Sequence, residues 1–354
     1  MWKGDKGLAL SALSALLALG CGGEAVDLGR NGEWTDAPTS SPDTTTPQTI
    51  YRGAEPILGF ALEGPTLYLL IQAQQTVDLV ACPLTRCGSE RTTLLRGLQV
   101  SHGLALPTKL VVAGGLLYWV HLSPSGGQLV ACPTTGCPEP QVVTSDVFGS
   151  LTADEDGVYW FDFAHNLFHG GLNAPAPTAL GNVGLDVDSS SLTAWGEHLY
   201  FVASDNDSSS VRRVRKDGTS ASEVVATDRA ISGFSLGQDS LFYVSRILTG
   251  RVAQCSPEGC SAGTSTLADN QRWPGTVRVE GNEVFWLNHT PWDYVKSKAT
   301  LMSCLLPECA TPKTRLVEFP MSDPEGQNFA VNQDSIVWLE GAPGAGFQLQ
   351  RLAR

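Results

Sequence analysis

The stretch "LLYWV" at residues 116–120 follows a Gly-Gly pair, and close copies of it return along the chain. "GVYWF" stands at 157–161, "HLYFV" at 198–202, "SLFYV" at 240–244, "EVFWL" at 283–287 and "SIVWL" at 335–339, with a fainter "TLYLL" at 66–70. Aligned on the first aromatic residue or its equivalent, the copies fall at Tyr68, Tyr118, Tyr159, Tyr200, Phe242, Phe285 and Val337. The spacings are 50, 41, 41, 42, 43 and 52 residues, close to the period of a four-stranded propeller blade.

Each unit repeats one plan. A short strand such as Lys109-Leu110-Val111-Val112-Ala113 leads into a tight turn, as at Gly114-Gly115, Asp156-Gly157, Gly196-Glu197 or Gly281-Asn282-Glu283. Such residues supply the positive φ that short hairpin turns require. The aromatic strand follows, then a third strand (Gly127 to Cys132) and a fourth (Pro140 to Val143). A strand between two sheets buries both faces, so it is apolar on consecutive residues rather than alternate ones. "LLYWV" is such a run, with Tyr118 and Trp119 facing opposite neighbours. These features predict an all-β chain, a β-propeller of four-stranded antiparallel blades. Seven aromatic strands imply seven blades; six blades plus an irregular one is the alternative. The last unit supplies only three strands before Arg354. The missing fourth is expected from Thr49-Ile50-Tyr51-Arg52, which would close the ring and remove the free edge.

Tyr118-Trp119 and Tyr159-Trp160 resemble the YWTD repeats of lipoprotein-receptor-like propellers and of bacterial propeller lipoproteins. The Thr-Asp half of the motif is replaced by Val120-His121 and Phe161-Asp162. YWTD propellers have six blades, so the resemblance bears on fold class and not on partners.

The N-terminus predicts export. Lys3 and Lys6 precede an apolar stretch, Gly7 to Gly20, too short to span a bilayer and of the length of a signal-peptide core. It ends in Leu17-Ala18-Leu19-Gly20-Cys21, which resembles a bacterial lipoprotein box, with Ala18 where that pattern has Leu, Val or Ile. The resemblance implies lipidation of Cys21, and Gly22 after it implies the outer rather than the inner membrane. The expected division is a signal peptide over 1–20, a disordered Ser/Thr/Pro/Gly tether over 21–50 and the propeller over 51–354.

Nine cysteines are present, and eight form four C-x4-C pairs: Cys82/Cys87, Cys132/Cys137, Cys255/Cys260 and Cys304/Cys309. The odd one is Cys21, for which lipidation gives a reason. The pairs are read as disulfides facing each other across the outer hairpins, in an oxidising compartment. Zinc favours C-x2-C, and these pairs lie in different blades, so no metal is expected.

Catalytic motifs are weak. Gly233-Phe234-Ser235-Leu236-Gly237 matches G-x-S-x-G, but no helix follows it. Asp154 to Gly157 and Asp205-Asn206-Asp207 lack the spacing of a calcium loop. Six histidines show no metal spacing, and no cofactor is expected. The net charge of −13 argues against nucleic acid and against an anionic membrane surface, leaving the lipid on Cys21 as the only membrane attachment.

In an up-and-down blade the turns after strands one and three share one face, and the connections after strands two and four share the other. Irregular length collects on the second of these, including 95–108, "DNQRWP" at 269–274 and "HTPWDYVKSKAT" at 289–300. Loops on a rigid scaffold carry function, and exposed aromatics with Arg anchor interfaces. Arg272, Trp273, His289, Trp292 and Tyr294 are the candidate binding residues. The expected protein is a monomeric, lipid-anchored, non-enzymatic binder of a protein or glycan at the cell envelope. The alternative is a lyase or hydrolase working in the central channel.

Overall fold

Apolar runs become strands sandwiched between strands. The computed structural model describes residues 46–99, 108–123, 126–172, 174, 176–184, 186–188, 191–204, 208–246, 249–289, 298–307, 309, 311–320, 329–342 and 346–354. The segment expected to be a signal peptide, Cys21 and the expected tether up to residue 45 lie outside them. Among the described residues, no helix is long and apolar enough to cross a membrane.

Seven antiparallel sheets follow one another along the chain, making a seven-bladed propeller. Blade 2 is typical, with strands Val111–Ala113, Leu116–Ser123, Gly126–Pro133 and Gln141–Ser145 paired in that order from the axis outward. Blade 4 is the irregular one, because two short pieces, Asp186–Val187 and Thr193–Trp195, share its innermost place. Blade 7 has Phe329–Asn332, Ser335–Ala342 and Gly346–Ala353, and its outermost strand is Gln48–Gly53 from the start of the fold. Thr49 pairs with Gln350, and Arg52 with Gln348. The two ends of the fold therefore close the ring by hydrogen bonds, as the short last unit predicts.

Seven hydrophobic clusters form the core, one for each seam between blades. Tyr118 packs with Val147, Leu151 and Trp160 of blade 3, whereas Trp119 packs with Leu58, Tyr68 and Leu70 of blade 1. The same division holds round the ring, ending with Val337 toward blade 1 and Trp338 toward blade 6. Each large apolar side chain buried in this way contributes about 1.5–3 kcal/mol. The consecutive aromatics are inter-blade core, not a ligand platform.

The outermost strands share a second repeat that hydropathy alone does not reveal. Each carries an extra residue opposite the third strand, a bulge at Ile50, Leu94, Val143, Leu180, Val225, Leu267 and Arg315, and those of blades 1, 5 and 6 carry a second register shift further along. A bulge turns two neighbouring residues inward, as in the buried pairs Ile50-Tyr51, Leu94-Leu95 and Val225-Ala226. The connection between the third and fourth strands of the next blade presses on this point. Cys137 N–H donates to the Leu94 carbonyl at 2.9 Å, and Gly218 sits so close to Leu180 that a Cβ would lie 3.1 Å from its backbone.

All four C-x4-C pairs are disulfides: Cys82–Cys87, Cys132–Cys137, Cys255–Cys260 and Cys304–Cys309, with Cα–Cα distances of 4.8, 5.7, 5.1 and 5.0 Å. Their placement corrects the expectation that the two cysteines face each other across a hairpin ladder. The first of each pair lies at the end of the third strand, but the second does not stand on the fourth. Contrary to that expectation, Cys87 is buried in the turn ahead of Thr92–Gln99, and Cys260 opens a short 3-10 helix, Cys260–Ala262, ahead of Ser265–Gln271. Cys137 and Cys309 likewise precede Gln141–Ser145 and Lys313–Pro320. The reason is register. The ladders end at Ala81–Thr92 and Gln254–Ser265, so the positions across from Cys82 and Cys255 are Arg91 and Thr264. Four intervening residues only begin to reverse the chain, and the second cysteine meets the first while still in the turn. Cys87 packs there on Ile50 and Tyr51 of blade 7, and Cys260 on Val225 and Ala226 of blade 4. The bridges therefore close the turns that strap neighbouring blades and do not clamp the ladders.

Candidate functional site

The two faces of the ring differ. One carries the first turns and the disulfide-closed turns. The other carries the connections after strands two and four, and there the candidate residues cluster at the junction of blades 5 and 6. Trp292 and Tyr294 lie outside the described residues.

Arg272 and Trp273 form the whole connection between Ser265–Gln271, outermost in blade 5, and Pro274–Glu280, innermost in blade 6. So short a link must be held tightly. Gln271 is buried, and its Oε1 accepts from Trp286 Nε1 and Asn288 Nδ2, both at 2.9 Å. Its Nε2 donates to the Asp269 carbonyl at 2.8 Å. Trp273 takes a left-handed conformation, φ 47°, and its carbonyl accepts from His289 N–H at 3.2 Å. The result displays Arg272 to solvent and leaves Trp273 half-buried.

His289 is not displayed. Only 6% of it is exposed, and neither ring nitrogen has a hydrogen-bond partner among the described residues. Burial, with Arg246 adding repulsion, pushes its pKa down to about 4. The imidazole is therefore neutral at neutral pH. Ser245 Oγ and Asn288 Oδ1 are also buried without partners, on the ends of the second strands of blades 5 and 6. Buried polar atoms are normally paired. Their concentration at one end of one seam marks a polar enclosure beneath the Arg272–Trp273 corner.

The same face carries a feature that the sequence pattern did not single out. Phe163, in the turn after the second strand of blade 3, is 61% exposed. Its ring centre lies 5.3 Å from that of Phe148, and Phe148 lies 6.1 Å from His165. Asp162 fixes this turn by accepting from the Ala164 and Asn166 N–H groups, both at 2.8 Å. The signal was available: "FDFAHN" carries one more aromatic than the packing of the strand needs.

Around the axis, the innermost strands of neighbouring blades touch one another, as in blades 2 and 3, 3 and 4, and 5 and 6. Ser235 lies on such a strand, and its hydroxyl accepts from Val279 N–H of blade 6 at 3.2 Å. Thr152 accepts likewise from Ala194 N–H of blade 4 at 3.4 Å. The serine of the G-x-S-x-G match is thus an inter-blade tie, with no helix after it. Among the described residues, no group of three or more His, Cys, Asp or Glu side chains could hold a metal ion. The axial positions carry two cations, Lys109 and Arg278, which sequence reading missed.

No protein-family model matches this chain, and no curated protein does. Solved structures resemble it in fold. YCF48 bound to D1 peptide is 13% identical, with 90% of this chain and 97% of that one covered and a TM-score of 0.58. BamB from Moraxella catarrhalis is 13% identical over 80% and 82% of the two chains, with a TM-score of 0.48. A chain of the nidogen/laminin complex is 17% identical over 68% and 89%, with a TM-score of 0.44. At these identities the likeness concerns the fold alone.

Proposed function

We propose that this chain is an exported, lipid-anchored propeller that binds a protein partner on its irregular face. The observation that carries the reading is Phe163, 61% exposed, with Phe148 and His165 beside it and Arg272 on the same face. A large aromatic side chain held in solvent by an ordered turn is a typical interface anchor. The opposite face, occupied by turns that strap the blades together, has less freedom to adapt to a partner. YCF48 is itself recorded bound to a peptide, which supports a polypeptide as the ligand class for a propeller of this size. Export is supported by the four disulfides, since such bonds persist in oxidising compartments. It also gives Cys21 a role as the lipid-bearing residue.

The test is cross-linking and capture from intact cells with the wild type beside a Phe163→Ser, Arg272→Ser double variant, circular dichroism confirming that the variant folds. A defined protein captured by the wild type and lost from the variant supports the reading. Equal capture by both, or capture of nothing, refutes the assignment of this face. A parallel Cys21→Ser form should move from the membrane to the soluble fraction, and its retention in the membrane would overturn the lipid assignment.

A further inference from the structure

Lys109 lies just ahead of Val111–Ala113, the innermost strand of blade 2, and its Nζ donates to the Leu192 carbonyl at 2.9 Å. Leu192 belongs to the innermost segment of blade 4. The bond thus reaches from blade 2 to blade 4, past the innermost strand of blade 3. Arg278 stands on Pro274–Glu280, innermost in blade 6. Its Nη1 donates to Thr276 Oγ1 at 3.1 Å and to the Val277 carbonyl at 2.9 Å, along its own strand. Both side chains are half-buried, and burial lowers the pKa of each. Both stand at the axial side of their blades, where a propeller has its central channel.

Arg278 is also a departure from the repeat. The residues that pair with the first aromatic or its equivalent are Ala61, Val111, Thr152, Thr193, Ser235, Arg278 and Ala330. Six are small or aliphatic and one is a guanidinium. Nothing in the strand requires it, because the other six blades are built without it.

The charges are uncompensated. Neither Lys109 nor Arg278 makes an ion pair among the described residues. Burial, with repulsion from Arg278 as the smaller cause, pulls the lysine pKa down to about 8. Two N–H groups of Lys109 and three of Arg278 remain after the bonds given above. Enclosing unpaired cations is costly unless a counter-charge joins them. Two other arginines of the blades have an acid beside them: Arg251 has Asp228, and Arg315 has Glu283.

We propose that Lys109 and Arg278 form an oxyanion-binding site in the central channel, which takes a small sulfate-, phosphate- or carboxylate-bearing ligand. The ligand supplies the missing negative charge and the acceptors for the five free N–H groups. Lys109 gives its charge only while protonated, so binding weakens above the pH at which it loses its proton. This site is independent of the protein-binding face proposed above.

The probe is sodium sulfate, a dianion throughout pH 6–10, titrated calorimetrically at constant ionic strength held with sodium chloride. The wild type should bind it saturably at pH 7. Lys109→Met should weaken binding at least tenfold, and the Lys109→Met, Arg278→Met double variant should abolish it. At pH 9.5 the wild type should fall toward the Lys109→Met value, whereas Lys109→Arg should keep its affinity. In the absence of sulfate, Lys109→Met should melt no lower than the wild type, because it removes an unpaired buried charge. Sulfate binding that ignores both substitutions overturns the site. So does the absence of saturable binding by the wild type, or loss of affinity at pH 9.5 in Lys109→Arg as well.

Discussion

Lowering the pH should weaken this fold through His289, by an amount that the structure allows to be worked out. The imidazole is enclosed, its two nitrogens have no partner among the described residues, and its pKa is pushed down to about 4 from the ordinary 6.5. Its folded pKa lies below its unfolded one, so the unfolded chain binds more protons between those values. Stability due to this group is therefore full above pH 6.5 and is lost as the pH falls toward 4. The shift of about 2.5 units corresponds to about 3 kcal/mol at its limit, and to about 2 kcal/mol by pH 5. The comparison is wild type against His289→Met, which fills similar volume and brings no proton site. Urea unfolding at pH 7.5, 6.5, 5.5 and 5.0 gives the stability of each. Groups common to both proteins cancel in the difference. The gap between them should shift in favour of the methionine variant by about 2 kcal/mol from pH 7.5 to 5.0, with unchanged m-values. Parallel curves would refute the reasoning and would mean that the imidazole reaches solvent or a proton acceptor when charged.

Two further outcomes follow from the ring closure. Glu283 is buried, and its carboxylate receives Arg315 at 2.5 Å and Arg354 at 3.5 Å. Glu283→Gln should cost about 3–5 kcal/mol in urea unfolding, because it strands a buried guanidinium, and adding Arg315→Leu should recover more than half of that; a double variant as weak as the single would sink this account. A chain beginning at Ala54, which lacks Gln48–Gly53, should melt lower than the full fold and associate through the exposed edge of Gly346–Ala353; a monomer of unchanged melting temperature by light scattering would show that the closing strand is dispensable.

Much of the fold was legible because a propeller writes its architecture as a period. Consecutive apolar residues in "LLYWV" require two buried faces, the period gives the blade, and the three-strand last unit calls for its fourth strand from Thr49 to Arg52. The irregular face was legible as a region and not as a site. His289 looks like a loop anchor in the linear pattern, since a long polar stretch follows it. It is enclosed because the two-residue link Arg272–Trp273 brings blade 6 hard against blade 5, a consequence of chain length between strands, not of hydropathy. Cys87, Cys137, Cys260 and Cys309 were misplaced by assuming that the ladder runs on to them, whereas the chain is still turning there and leans on the neighbouring blade. Lys109 and Arg278 were missed because a cation on a short strand carries no meaning until the innermost strands are set side by side around an axis.

Departures from a repeat separate by what they satisfy. Blade 6 breaks the pattern twice, with Arg278 where other blades have small or aliphatic residues and with Arg315 where other outer strands have an apolar bulge. Arg315 has a local cause. In other blades the bulge meets the turn between the third and fourth strands of the next blade, but blade 7 has no such turn, because its third strand ends near the C-terminus and its fourth comes from the N-terminal side. Arg315 bonds Ser303 Oγ at 2.9 Å and pairs with Glu283, and Arg354 places its guanidinium carbon 5.1 Å above Phe285 and donates to the Glu280 carbonyl at 3.0 Å. Charge and hydrogen bonds thus occupy the place where covalent connection is missing. Arg278 has no such account: among the described residues no carboxylate pairs with it, and no gap in the chain adjoins it. Its hydrogen bonds run only to its own strand, which the other six blades build without it, so its charge is left to be explained by the anion proposed for the axis.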